Sequence, residues 1–229
     1  MGQNGAWYIY SMNCKNCNQT NCIKRGKRNE IQRYYCKTCF TSFQENYYYR
    51  AYNTTTDPLL INLLKECCSV LGIARVLKIS KNTVLSRILK ISKQIKTPYF
   101  NTLGCKFEID EMWSFIGNKK NVTWITYAIE QKTKNVIDFF VGRKTKDNIR
   151  PLINKVLLLQ PSRVYTDRLN IYPSLIPKEI HKRFQYCTNK IERMNLTLRT
   201  HIKRISRKTI CFSRKQEYLE AHLKIYFWG

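Results

Sequence analysis

The strongest constraint on this chain is a doubled pair of cysteines near its beginning. Cys14-Lys-Asn-Cys17 is followed, after 18 intervening residues, by Cys36-Lys-Thr-Cys39. Two residues between cysteines let both thiolates of one turn reach the same ion, and a second such turn closes a tetrahedral site. A segment this short has too little apolar surface to fold alone, so the metal would staple it. The spacing predicts a zinc ribbon with Cys14, Cys17, Cys36 and Cys39 as the Zn²⁺ ligands. A single pair would be a weak signal, because redox-active cysteines share it. Lys24, Arg25, Lys27, Arg28 and Arg33 lie between the knuckles, followed by Tyr34 and Tyr35. Such side chains would meet phosphates; a solvated hairpin is the plainer alternative. The other cysteines, Cys22, Cys67, Cys68, Cys105, Cys187 and Cys211, share no spacing. In a secreted protein they would suggest disulfides, but nothing else in the sequence suggests export, so a reducing compartment is expected.

The 229 residues suffice for one large domain or two to three small ones. Hydrophobic residues at 43% allow a real core. Lys and Arg number 41 against 15 Asp and Glu, a net charge of +26. An excess of that size points to a polyanionic partner, nucleic acid first and an anionic membrane surface second. No apolar run approaches the roughly 18 residues needed to span a bilayer. The opening residues lack the basic-then-apolar pattern of a signal peptide. A cytoplasmic protein without a membrane partner is expected.

A Tyr-rich and Thr-rich connector, residues 46–56, leads to Asp57-Pro58. This dipeptide reads as a helix start, with Asp as cap and Pro at the first helical position. Leu59, Leu60, Leu63 and Leu64 give a helical stripe. Val70, Ile73, Ala74 and Leu77 give a second, and Val84, Ile88 and Ile91 a third. With the turn at Lys78 to Lys81, the pattern is a helix-turn-helix. Lys81, Asn82, Thr83, Ser86, Arg87 and Lys90 are the expected DNA-contacting residues; a three-helix bundle without a DNA role is the alternative. Lys78 departs from the Gly that such turns often carry. Lys96 to Gly104, punctuated by Pro98 and Gly104, reads as a linker.

Beyond it the apolar run Phe107-Glu-Ile-Asp-Glu-Met-Trp-Ser-Phe115 enters two adjacent acids, Asp110 and Glu111. Acids are scarce here, so a pair at a strand suggests a cation site; a solvated strand end is the plainer reading. Strands are expected over 106–116, 122–129 and 135–141, forming an antiparallel meander. A helix capped by Asp147 should follow, then a short strand, Arg163 to Tyr165, ending at Asp167. A strand reached through a helix is usually parallel to an earlier one; paired with the first strand, it would make Asp110 and Asp167 neighbours. A fifth strand over 180–187, a helix from Asn189 carrying Glu192, and a closing helix over 214–227 complete a ribonuclease H-like order. The domains expected are a zinc ribbon (1–50), a helix-turn-helix (51–97) and an α/β catalytic domain with a mixed five-stranded sheet and helices (98–229).

From Lys182 to Lys215 there are eleven Lys and Arg and one acid, Glu192. Arg199 stands two helical turns after it, on the same face. An intrahelical ion pair is the plain reading; a metal ligand beside a phosphate-holding cation is the functional one. Lys203 lies on the same side, and Lys203 and Arg204 extend the expected DNA-binding set. Converging carboxylates suit hard cations, Mg²⁺ or Mn²⁺, and two such ions suit in-line attack at a phosphodiester. Alternation puts Asp110 on the face opposite Phe107, Ile109 and Glu111, so the residues alone leave open which of the two acids is the ligand.

These blocks together resemble the transposases of the bacterial insertion sequence 1 family. The resemblance rests on the two cysteine pairs, the helix-turn-helix, Ile109-Asp-Glu-Met-Trp113, and Thr166-Asp167 with Tyr172. Ile191-Glu-Arg-Met-Asn-Leu-Thr-Leu-Arg199 and Arg207-Lys-Thr-Ile-Cys-Phe-Ser213 extend it nearly to the end. It implies a DDE transposase with Asp110, Asp167 and Glu192 as metal ligands and Arg199 as the accompanying basic residue. It also implies binding of the element's terminal inverted repeats and of target DNA, on the bacterial nucleoid, by a homo-oligomer that brings two ends together. The competing readings are a non-catalytic sequence-specific DNA-binding repressor, or a decayed transposase, and a structure-specific nuclease. A pure binding module has no need of the acid set.

Overall fold

The computed structural model describes residues 12–100, 103–183 and 188–229. The chain divides into two compact units, Met1–Tyr49 and Arg50–Gly229.

The first unit is a three-stranded antiparallel sheet of β1 (Cys22–Arg28), β2 (Ile31–Cys36) and β3 (Ser42–Gln44). Asn29 and Glu30 join β1 to β2 with φ of 48° and 62°. Two left-handed residues in succession give the turn whose twist matches that of the strands. The two cysteine turns are built alike. Asn18 and Phe40, each directly after a pair's second cysteine, have positive φ. Cys14 N–H donates to Gln19 O at 2.9 Å and Cys36 N–H to Thr41 O at 3.0 Å, the same offset in both.

The second unit opens with α1 (Thr56–Lys65), α2 (Val70–Leu77) and α3 (Lys81–Gln94). Ser69 and Ser80 cap α2 and α3, accepting from Gly72 N at 3.1 Å and Thr83 N at 3.0 Å. Lys78 closes α2 in the left-handed conformation, φ 52°. Its N–H reaches Arg75 O and that of Ile79 reaches Ala74 O, the paired bonds of a Schellman end that Gly usually supplies. One expectation needs correction: Asp57 does not cap α1. Thr55 holds the cap position, and Asp57 lies inside the first turn, where its carboxylate meets Arg87 at 3.1 Å. Leu60, Leu64, Ile73, Val84, Ile88 and Ile91 form the apolar cluster of these helices.

The sheet that follows comprises β4 (Lys106–Phe115), β5 (Val122–Glu130), β6 (Val136–Gly142), β7 (Arg163–Thr166) and β8 (His181–Lys182), in the order β6-β5-β4-β7-β8. β4, β5 and β6 are antiparallel, as the meander requires. β7 lies parallel to β4, and β8 parallel to β7. This mixed five-stranded sheet with helices fits a ribonuclease H-like domain. Only His181–Lys182 of the expected fifth strand is strand among the described residues; 184–187, with Cys187, lie outside them.

Helix α4 (Lys146–Leu158) covers one face, packing Ile149, Leu152, Ile153 and Val156 on Phe107, Ile109 and Val164. Its cap is Thr145, not the expected Asp147. The Thr145 hydroxyl accepts from Asn148 N at 3.4 Å, and Asp147 sits exposed in the first turn. The other face takes α5 (Asn189–His201) and α6 (Gln216–Trp228), whose Ile191, Leu198, Leu219 and Leu223 pack on Met112, Ile125, Tyr127 and Ile129. Ile202 and Ile205 continue the stripe of α5 but lie beyond its end, buried in a short 3-10 turn. α6 also adds Ala221 and Ile225 to the cluster of α1 to α3. No helix among the described residues is long and apolar enough to cross a membrane.

Candidate metal centres and nucleic-acid interface

The carboxylate site arises where β7 stops and β4 does not. Ile109 pairs with Thr166 in parallel register, so the next residue on each strand brings Asp110 beside Asp167. β4 runs on to Phe115, leaving Asp110 and Glu111 past the end of β7. Alternation sends Asp110 toward α5 and Glu111 toward the turn after β7. There the Tyr172 hydroxyl donates to the Glu111 carboxylate. One oxygen from each of Asp110, Glu111 and Asp167 can be chosen so that all lie within 4.8 Å of one another. This all-oxygen donor set fits a hard divalent cation.

Each acid is held in place. Asp110 Oδ1 accepts from Glu111 N at 2.8 Å, and Asp110 Oδ2 from Asn195 Nδ2 at 2.6 Å. Asn195 Oδ1 in turn accepts from the buried Tyr127 hydroxyl at 2.8 Å. Asp167 Oδ1 accepts from Leu169 N at 2.9 Å. Burial, with the charges of Asp167 and Glu192 nearby, raises the Asp110 pKa to about 6. Burial, with the charges of Asp167 and Asp110, raises that of Glu111 to about 7, against the Tyr172 hydrogen bond.

Glu192 lies in the first turn of α5, exposed, and accepts from the Thr188 hydroxyl at 3.0 Å. Its charge is felt at Asp110, but it is not a member of the three-acid group. Among the described residues no ion pair joins it to Arg199. The Arg199 guanidinium donates to Ile205 O at 2.9 Å and Trp113 O at 3.1 Å, and burial lowers its pKa. α5 itself is anchored by Glu108, which is 1% exposed. Glu108 Oε2 accepts from Ile191 N at 2.9 Å and Oε1 from Gln131 Nε2 at 2.9 Å. Asn195 and Glu108 were not singled out in the sequence. Their signals were present: Asn195 is one turn after Glu192, and Glu108 shares a strand face with Asp110.

The cysteine site is equally compact. One sulfur from each of Cys14, Cys17, Cys36 and Cys39 falls within 4.8 Å of the others, with Cys14–Cys39 at 3.5 Å and Cys17–Cys36 at 3.6 Å. A tetrahedral Zn²⁺ with bonds of about 2.3 Å sets its sulfurs about 3.8 Å apart, so the four residues fit that ion.

The expected DNA-binding residues divide. Lys81, Asn82, Ser86 and Lys90 on α3, and Lys203 after α5, are exposed. The Thr83 side chain meets the Ser80 hydroxyl at 2.9 Å. Arg87 turns inward; its side chain is 13% exposed, spans Asp57 and Ala51 O, and lies 5.3 Å from the Tyr52 ring. Arg204 is also taken up inside, donating to His222 Nδ1 at 3.1 Å and Ser213 Oγ at 3.0 Å. Burial, and then the Arg204 charge, pushes His222 down to about 3.

The family described as IS1 transposase is matched over residues 103–227, the segment that holds every acid of the site. This chain belongs to the IS1 transposase family. Insertion element iso-IS1n protein InsB of Shigella dysenteriae is 41% identical over 118 residues, covering 52% of this chain and 88% of that protein. Insertion element IS1 4 protein InsB of Escherichia coli (strain K12) is 34% identical over 121 residues, covering 52% and 69%. Among solved structures, a chain of a simian T-cell lymphotropic virus intasome in complex with PP2A regulatory subunit B56 gamma matches with a TM-score of 0.34 and 15% identity. That match covers 63% of this chain and 59% of that one and is too slight to carry an inference.

Proposed function

We propose that this IS1-family chain binds the ends of an insertion element and catalyses DNA strand cleavage and strand transfer. The observation that carries the reading is the parallel register Ile109 to Thr166, which sets Asp110 beside Asp167 at an open strand end. Asp110, Asp167 and Glu192 are the proposed ligands of Mg²⁺ or Mn²⁺, with Glu111 adjoining. Bound there, divalent cations would supply activation of the attacking oxygen and stabilisation of the leaving one. The chain's own groups hold the site ready. Asn195 and the Glu111 amide orient Asp110, Tyr172 orients Glu111, and Glu108 holds the start of α5. Arg199, two turns along α5 from Glu192, adds positive charge for a phosphate. In the first step water opens a phosphodiester at the element's end, leaving a 3′-hydroxyl and a 5′-phosphate. In the second, that 3′-hydroxyl displaces a 3′-oxygen of target DNA, so one phosphodiester forms as another breaks.

The remaining parts serve binding under this reading. Zn²⁺ on Cys14, Cys17, Cys36 and Cys39 holds the ribbon. The α2–turn–α3 segment acts as a helix-turn-helix that presents Lys81, Asn82, Ser86 and Lys90 to double-stranded DNA, while Arg87 and Arg204 brace the protein. The division of labour runs ribbon (1–50), helix-turn-helix (51–97) and catalytic domain (98–229). A homo-oligomer on the nucleoid, in the cytoplasm, would hold two ends together.

The test is a Mg²⁺-dependent assay on a labelled duplex carrying the element's end. Wild type should cleave and join, whereas Asp167→Asn and Glu192→Gln should do neither and still bind the end. Binding without cleavage by wild type would favour a repressor, and simultaneous loss of binding and cleavage in Asp167→Asn would sink the division of labour.

A further inference from the structure

The Tyr-rich segment after β3 is used by neither metal centre. With the tip of the β1–β2 hairpin and the adjoining strands it lines a groove of about 370 Å³ in the ribbon unit. Tyr47, Tyr48 and Tyr49 stand along it, 48%, 71% and 58% exposed. The rings of Tyr47 and Tyr49 are parallel, with centroids 6.1 Å apart and planes within 1°. Tyr47 is fixed by its hydroxyl, which accepts from Gln44 N at 3.1 Å, and Lys15 Nζ lies 5.3 Å from its ring centroid. Arg28 and Arg33 line the same groove, and among the described residues no acidic side chain does.

We propose that this groove binds unpaired nucleobases of single-stranded DNA, stacking them on the tyrosines while Arg28 and Arg33 take the phosphates. The argument is chemical. Exposed aromatic rings beside guanidinium groups, without carboxylates, form the stacking platform and positive track that single strands use. A duplex hides its base faces within the stack, so a grip on duplex phosphates needs cations and not rings. Stacking accepts any base, because every base has a π-face. The inference rests on the DNA-joining reading and deepens it: strands opened at a cut end are the source of such bases.

The test uses the full zinc-loaded chain and fluorescence anisotropy of a labelled short oligothymidylate, with a hairpin duplex as comparison. Tyr48→Ala and the double variant Tyr47→Ala/Tyr49→Ala should each weaken oligothymidylate binding, by roughly five- to a hundredfold per stacking ring lost. Tyr48→Phe should retain it, duplex affinity should stay unchanged, and zinc content should match wild type. An unaltered affinity in the alanine variants overturns the proposal. So does an equal loss in Tyr48→Phe, or a parallel loss for the duplex. The two readings separate cleanly. A chain that cuts and joins but ignores the loss of its rings defeats the groove alone. A chain that neither cuts nor joins, yet loses oligothymidylate on Tyr48→Ala, defeats the joining reading and leaves the groove standing.

Discussion

Asp110 is held from three directions: its own strand supplies the Glu111 amide, α5 supplies Asn195, and β5 supplies Tyr127 behind Asn195. Removing the middle member should loosen the proposed ligand Asp110 and leave the proposed DNA contacts untouched. Asn195→Ala is expected to lower Mg²⁺ affinity or cleavage by roughly 10- to 100-fold, the usual effect of losing a group that orients a ligand, with end binding unchanged by gel shift. The raised carboxyl groups also set a pH dependence. Asp110 stands at about 6 and Glu111 at about 7, chiefly through burial, and both lie above the range of an unfolded chain. Between about pH 4 and 7 the cation-free native state therefore holds more protons than the unfolded state, and stability falls as pH rises through that window. A divalent cation at the proposed site would bind the ionised carboxylates, so its stabilising effect should grow as pH rises. Thermal melts should show Mg²⁺ raising the midpoint near pH 8 and hardly at all near pH 5; an equal shift at both would place the cation elsewhere.

At the scale of the element, α5 is positioned by an acid that was read only as part of an apolar strand. Glu108 is inside because the first turn of a helix has N–H groups that lack intrahelical partners, and its carboxyl takes one of them. Glu108→Ala would leave the Ile191 N–H without that partner in a buried setting. A loss of about 1–3 kcal/mol is expected by urea denaturation, together with lower cleavage activity, because α5 carries both Glu192 and Asn195. The helical stripes of α1 to α3 were legible from the spacing of Leu60, Leu64, Ile73, Val84 and Ile88. Helix caps were not all legible: Thr55 on α1 and Thr145 on α4 hold cap positions where Asp57 and Asp147 were expected. A sequence shows several capable residues near a helix start, and backbone conformation chooses among them. Thr145 is extended at ψ 158° and accepts from Asn148 N, Thr55 stands at its cap position with helical φ and ψ and no side-chain bond, and Asp57 and Asp147 already lie inside their helices.

For the whole molecule, the two units imply separate sources of stability. Among the described residues the sheet and helices of 50–229 have three apolar clusters, whereas the ribbon has one small cluster of buried Cys14, Cys36 and Phe43 with partly buried neighbours. If Zn²⁺ sits on the four cysteines, as proposed, a chelator should therefore unfold the ribbon and spare the rest. Near-UV circular dichroism should lose part of its tyrosine signal, while the main thermal transition and the carboxylate site persist. Loss of the main transition on chelation would show that the units do not stand independently.

The sequence alone determined what depends on local spacing and on scarcity. The two cysteine turns, the helical stripes, the strand meander and the few acids in a chain of net charge +26 are patterns written in neighbouring residues. Tertiary structure decided what depends on register and burial. A parallel pairing of four residues places Asp167 against Asp110, with Val164 of β7 packed in the cluster that α4 covers. Local packing elsewhere turned Arg87 onto Asp57 and Ala51 O, and Arg204 onto His222 and Ser213. Sequence shows the charge but not its neighbour. Register also brought Glu111 level with Asp110 despite their opposite faces, since β7 ends where they begin and both carboxylates can reach the gap.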